Sequence, residues 1–302
     1  MADVLPLQVA PPTLRLADRP RTRLVLVLAS VVGLAMFCWP LLVDVPAGTV
    51  GHTTDAPLAF IVLLPIVLAV VLAEMADEGI DSRALAMLGV LSAVDAALRP
   101  LGAGVGGVEL VFFLLVLGGR VFGPGFGFAL GCLSMLASAL LTAGVGPWLP
   151  FQMMAAAWVG LGAGLLPRRV TGRAEIALLA AYGALAALAF GALMNLWFWP
   201  FSIGEGTALS YVAGAPLLDN LERFAVFTFV TSTLGWDLGR AITTVLGIVL
   251  LGPAILAVLR RAARRASFAP PPDLSGNQQL IETALDFRAR TADSRGQRRA
   301  RP

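Results

Sequence analysis

Few side chains in this sequence can do chemistry, and those that can fall in four short stretches. The first, RALAMLGVLSAVDAALR, sets one carboxylate, Asp95, in an apolar run and places Arg99 one turn later. An acid inside a membrane-type helix is costly and faces a partner or a cavity. An ion pair with Arg99 and a place in a cavity wall are therefore the two roles open to Asp95. The second stretch puts Trp148, Phe151 and Gln152 within about a turn and a half of helix. The third, MNLWFWPF, contributes Asn195, Trp197 and Trp199, and the fourth, STLGWDLGRA, contributes Trp236, Asp237 and Arg240. Asp237 and Arg240 are three residues apart, so on a helix they can pair. Aromatics beside a few amides and charges suit a mostly apolar pocket that holds a small molecule through well-placed polar groups. A belt of aromatics at a membrane–water boundary is the alternative.

No catalytic arrangement accompanies these residues. The lone histidine, His52, and the two cysteines, Cys38 and Cys132, both in apolar runs, supply neither a zinc ligand set nor a disulfide framework. All 22 basic residues are arginine. Without lysine there is no G-x-x-x-x-G-K-[ST] phosphate loop, so any use of ATP by that route falls to a partner. No catalytic residue, cofactor or metal site is expected.

The elements that carry these residues follow from composition. Of 302 residues, 58% are hydrophobic and only 14% charged, and the mean hydropathy is +0.82. A soluble domain carries about 25% charged residues. The chain therefore reads as an all-α polytopic membrane protein of about eight transmembrane helices. A bilayer core of about 30 Å takes roughly 20 apolar residues per helix. Suitable runs lie at 24–43, 57–73, 82–98, 108–121, 125–141, 148–166, 175–199 and 238–259. A cleaved signal peptide is the alternative for the first, but its length and the lack of a small-x-small cleavage site favour a retained helix. The apolar stretch 224–234 is too short to span and is expected to be interfacial or re-entrant.

With eight spans the arginines before the first run (Arg15, Arg19, Arg21, Arg23), Arg83, Arg120, the group Arg168, Arg169 and Arg173, and the cluster Arg260, Arg261, Arg264 and Arg265 all fall on one side. The positive-inside bias makes that side the cytoplasm, with both termini inside. Counting 224–234 as a ninth span would export the last cluster. The candidate ligand-binding residues Arg99, Trp148, Phe151, Gln152, Asn195, Trp197, Trp199, Trp236, Asp237 and Arg240 then gather at the outer boundary. Glu109, which opens the fourth run, is read as an acid favoured at a helix N-terminus.

On the third run Gly89, Ala93 and Ala97 recur every four residues and leave one flank flat, which lets another helix approach closely. Packing inside this same protein is the plain alternative. With the run FGPGFGFALGCLSMLASALLTAGVGPWLPFQMMAAAWVGLGAGLLP, and the closing WDLGRA followed by an apolar helix and an arginine cluster, residues 82–265 resemble the substrate-binding S-components of energy-coupling factor (ECF) transporters. The resemblance implies a six-helix core in a bacterial cytoplasmic membrane that captures a vitamin-like molecule on the outer side. It also implies docking, through Gly89, Ala93 and Ala97, on a transmembrane coupling protein that carries a pair of ABC ATPases. No nucleic-acid partner is implied. The chain then divides into a cytoplasmic tail (1–22), two transmembrane helices additional to the family's six (23–81), the S-component-like core (82–265) and a disordered basic cytoplasmic tail (266–302). The tryptophan-rich rim suits a large ring system, which favours a cobalamin-like ligand over riboflavin, folate, pantothenate or a thiamin precursor.

Two other classes compete. Asp77 and Asp81 have the D-x-x-x-D spacing with which a membrane enzyme acting on a lipid or isoprenoid holds Mg²⁺ against a diphosphate, but their link is short and a second acidic motif is missing. An ion-driven secondary carrier needs ionisable residues in mid-span, of which Asp95 is the main one.

Overall fold

Proline and glycine punctuate the apolar runs, and helices form between them. The computed structural model describes residues 20–42, 82–102, 106–202, 207–212 and 214–267; the second apolar run (57–73), the Asp77/Asp81 pair and most of the two tails lie outside the described residues. Helix α1 is Pro20–Leu42 and α2 is Ser82–Leu98, which tightens into a 3-10 turn at Arg99–Gly102, where Pro100 cannot continue the α-helical bonding. Then come α3 (Val111–Phe122), α4 (Pro124–Leu141), α5 (Leu149–Leu165) and α6 (Gly172–Ser202). Between α3 and α4 the chain turns on Gly123 alone, at φ 102°, with Pro124 as the first helical residue. Only glycine takes that φ readily, and proline suits a first helical position.

The last stretch differs from the sequence expectation of a short interfacial helix at 224–234 followed by a separate span. Helix α7 (Leu217–Thr228), a π-helix (Phe229–Asp237) and α8 (Leu238–Ser267) run on without a break. Pro216, in extended backbone, starts the helix. Gly235 lies inside the π-helix, and its wider i→i+5 bonding carries the chain through to α8.

Among the described residues every regular element is helical. Ala84–Gly102, Pro124–Leu141, Gly172–Pro200 and Leu217–Arg264 are long and apolar enough to cross a bilayer, and Arg23–Cys38, Val111–Phe122 and Leu149–Leu165 are shorter apolar helices. From α2 onward successive spans alternate in direction. One end of the bundle thus carries Arg99, Glu109, Gln152 and Arg240, joined across helices, and the other carries Arg120, Glu175 and Arg260.

Helix α3 is the central strut: of its twelve residues only Val121 is not fully buried, and it packs on α4, α5 and α8. Helices α4 and α5 make the closest pair. Gly127 and Gly160 face one another so tightly that a methyl group on either would overlap the other's backbone, as small residues permit where packing alone drives association. Helix α1 belongs to the same core. Phe37 is fully buried, with its ring edge-on to Phe151 at 5.0 Å, and Trp158 Nε1 donates to Ser30 Oγ at 3.0 Å.

The Arg120 end is closed by an ion triad in which Arg120 and Glu175 are buried and Arg260 reaches in from the surface. Arg120 Nε donates to Glu175 Oε1 at 2.7 Å, and Arg260 Nη2 donates to the same oxygen at 2.6 Å. The remaining Arg120 nitrogens bond the carbonyls of Leu166, Pro167 and Val170 at 3.0–3.1 Å, which pins the α5–α6 link. Near this end an open apolar groove of about 890 Å³ runs between α1 and the α3–α4 turn, with Leu26, Val31, Phe122 and Leu161 on its walls.

Candidate ligand-binding site

The opposite end is built around Arg240. Its Nη1 donates to Asp237 Oδ1 at 2.7 Å, the i,i+3 pair readable from the sequence, and its Nε donates to Glu109 Oε2. The guanidinium also lies over the rings of Phe190 at 5.1 Å and Phe112 at 5.6 Å, a cation–π arrangement that holds a positive charge where water is scarce. Asp237 is buried, and its second oxygen accepts from Ser232 Oγ at 2.9 Å. Five residues separate the two, so the π-helical i→i+5 repeat brings Ser232 level with Asp237. Gly191 of α6 makes room for this carboxylate: a Cβ there would fall on its oxygens. Glu109 is fixed through its backbone, whose carbonyl accepts from Thr243 Oγ1 at 3.1 Å. The preceding loop lies against α8's start, with Gly107 at φ 74° and touching the Trp236 backbone.

Arg99 extends the cluster toward α5. Its Nη2 donates to Gln152 Oε1 at 3.1 Å, and its charge lies within electrostatic reach of Glu109, Arg240 and Asp95. Two cations and three carboxylates therefore share this end of the bundle. Asp95 is fully buried, yet neither of its oxygens has a hydrogen-bond partner. Asn195 Nδ2 is likewise buried and unpartnered. Unsatisfied buried polar atoms cost about 1–3 kcal/mol each. Such groups are rare in folded proteins, and a ligand is one occupant that satisfies them.

The aromatic candidates separate into three situations. Phe151 and Trp197 are buried and lie ring against ring at 5.3 Å. Trp148 and Trp236 are 40% and 50% exposed, as rim residues would be. Trp199 is fully buried, donates from Nε1 to the Leu209 carbonyl at 2.7 Å and sits edge-on to Tyr211 at 5.6 Å. These contacts, with Phe224 at 5.4 Å, tie the 207–212 segment and α7 to the end of α6. Arg99, Gln152, Asp237 and Arg240 belong to one charged cluster with Asp95; Trp148, Trp199 and Trp236 do not enter it.

Sequence reasoning missed Glu109, Ser232 and the ring pair Phe112 and Phe190, which meet edge to face at 4.9 Å. Glu109 and Arg240 are 131 residues apart, so no local spacing joins them. The stripe is placed plainly: Gly89, Ala93 and Ala97 are exposed, and nothing lies within contact of a Cβ built on Gly89. Internal packing is therefore not their role among the described residues. Also among the described residues, no three His, Cys, Asp or Glu side chains group as a metal site. Guanidinium, carboxylate and amide groups gathered at one end are suited to holding a polar molecule; among the described residues of this cluster no nucleophile is paired with a base. No family model, curated protein or solved structure matches the chain.

Proposed function

We propose that the protein is the substrate-capturing S-component of an ECF-type importer, in a bacterial cytoplasmic membrane with eight spans and both termini in the cytoplasm. The observation that carries this reading is the division of α2 into two faces. Ser92, Asp95 and Ala96 are buried, while Gly89, Ala93 and Ala97 lie exposed on the helix's bare flank. One helix thus joins a ligand site to a flat surface suited to close helix docking. The resemblance of residues 82–265 to S-components gives the docking partner its identity, a coupling protein bearing two ATPases. The arginine clusters at the Arg120 end support an outward-facing Arg99 end. There a vitamin-like molecule would enter past Trp148 and Trp236 and meet Arg99, Gln152, Asn195 and the Arg240 group. The protein performs no chemistry of its own in this scheme.

The test is Ala93→Trp. It is expected to abolish co-purification with the coupling protein while the purified chain still retains its ligand, detected by mass spectrometry. Unimpaired complex formation and uptake would overturn the docking assignment.

Asp95 also favours a second reading, an ion-driven carrier, because a lone buried carboxylate is a common ion-coupling group. Uptake into proteoliposomes that follows an ion gradient in the absence of any ATPase would select it.

A further inference from the structure

Helix α1 meets α5 in a register that sets two arginines at one mouth. Phe37 of α1 lies edge-on to Phe151 of α5, and seven residues earlier on α1 and seven later on α5 the Trp158 Nε1 donates to Ser30 Oγ. The two helices therefore run antiparallel. Because seven residues make close to two turns, a further step of seven on each brings Arg23 level with Leu165, three residues before Arg168. The groove of about 890 Å³ opens there, between α1, the α3–α4 turn and the end of α5, and both arginines line it. Both are exposed. Arg168 does not splay away from the groove: its Nη2 lies 3.7 Å from where a Cβ on Gly123 would stand. Close-packed backbone makes the floor, since a Cβ on Gly164 would overlap Gly123 and Pro124.

Beyond the arginines the walls are apolar. Val27, Val31 and Leu34 on α1 and Leu165 on α5 line the groove, and each is half exposed or more. At about 1.5 Å per residue the wall from Arg23 to Leu34 runs roughly 16 Å, close to half of a hydrocarbon core of about 30 Å. The groove is thus as deep as one leaflet, with its positive charge where the apolar run of α1 begins, at headgroup level. A soluble anion would use the guanidiniums and leave the apolar walls bare; a neutral apolar molecule would do the reverse. A phospholipid of net negative charge matches both parts. Guanidinium forks hold phosphate oxygens in pairs, and basic pockets between transmembrane helices suit acidic headgroups.

We propose that this groove binds one anionic phospholipid, its phosphate held by Arg23 and Arg168 and an acyl chain laid along Val27, Val31 and Leu165. The lipid fastens α1 to the core at the end that Phe37 does not reach. The proposal does not depend on the importer reading.

The experiment is native mass spectrometry of the full chain, delipidated in detergent and titrated with dioleoyl phosphatidylglycerol or with its zwitterionic match, dioleoyl phosphatidylcholine. One phosphatidylglycerol per chain is expected to remain bound under conditions that strip phosphatidylcholine. Arg168→Gln should weaken phosphatidylglycerol binding about tenfold, as loss of one charge-assisted hydrogen bond does. Arg169→Gln removes the same charge beside the groove and should bind as the wild type does. Val31→Trp, which fills the groove and keeps both arginines, should lose the lipid. The proposal fails if phosphatidylcholine is held as tightly, or if no lipid is retained because another part of the chain fills the groove. Equal losses in Arg169→Gln and Arg168→Gln would make the lipid a counter-ion of the whole basic surface and would equally overturn it, as would unchanged binding in Val31→Trp. Should Val31→Trp fail to fold, the two arginine variants decide.

Discussion

The two ends of the bundle hold similar charges in opposite ways. At one end Arg120, Glu175 and Arg260 close on each other, and every described Arg120 nitrogen has an acceptor. At the other, Arg99, Asp95, Glu109, Asp237 and Arg240 share an incomplete network in which both Asp95 oxygens are left unpartnered. A completed buried network fixes a structure, because breaking it strands a charge. An incomplete one keeps its binding capacity for something else. The difference separates a closed clamp from an open cluster without recourse to any relative.

The largest effect is expected where the network is complete. Arg120→Ala leaves Glu175 with Arg260 alone and frees three carbonyls, and it should destabilise the chain by roughly 3–5 kcal/mol, as removal of one partner from a buried pair does. Thermal unfolding in detergent measures this, and a negligible shift would erase the distinction between the ends. Asp95→Asn should change stability by less than about 1 kcal/mol, since it removes a charge that has no pair to lose, while retained ligand in the purified protein falls. Equal damage from both substitutions would make Asp95 as structural as Arg120. Smallest of all, Trp236→Ala at the exposed rim should move stability by no more than about 0.5 kcal/mol. A larger loss would show that the rim is part of the clamped core.

What was legible in the sequence depended on distance along the chain. The bounds of α2 coincide with the expected 82–98, because Pro100 marks its end and apolar residues fill the span. The Asp237–Arg240 pair was legible because three residues on a helix make neighbours. Their continuation to Glu109 was not, and neither was the triad, whose members are 55 and 85 residues apart. The unbroken run from Leu217 to Ser267 was hidden for another reason. A short apolar stretch beside Gly235 reads as a break, and nothing in STLGWD announces π-helical bonding. Trp199 shows the limit of counting aromatics: its indole is committed to Leu209 and Tyr211, contacts that no spacing in MNLWFWPF announces.

The long reach of these pairs also orders how the protein is made. Glu109 leaves the ribosome 131 residues before Arg240, an interval on the order of ten seconds at about 5–20 residues per second. Arg120 meets Glu175 after only 55 residues. A nascent chain that has not yet produced α8 can therefore hold the first bond of its clamp but neither ion pair of the Arg240 cluster. Helix α8 completes both ends of the bundle, and until it arrives the Arg240 cluster is a set of separate charges.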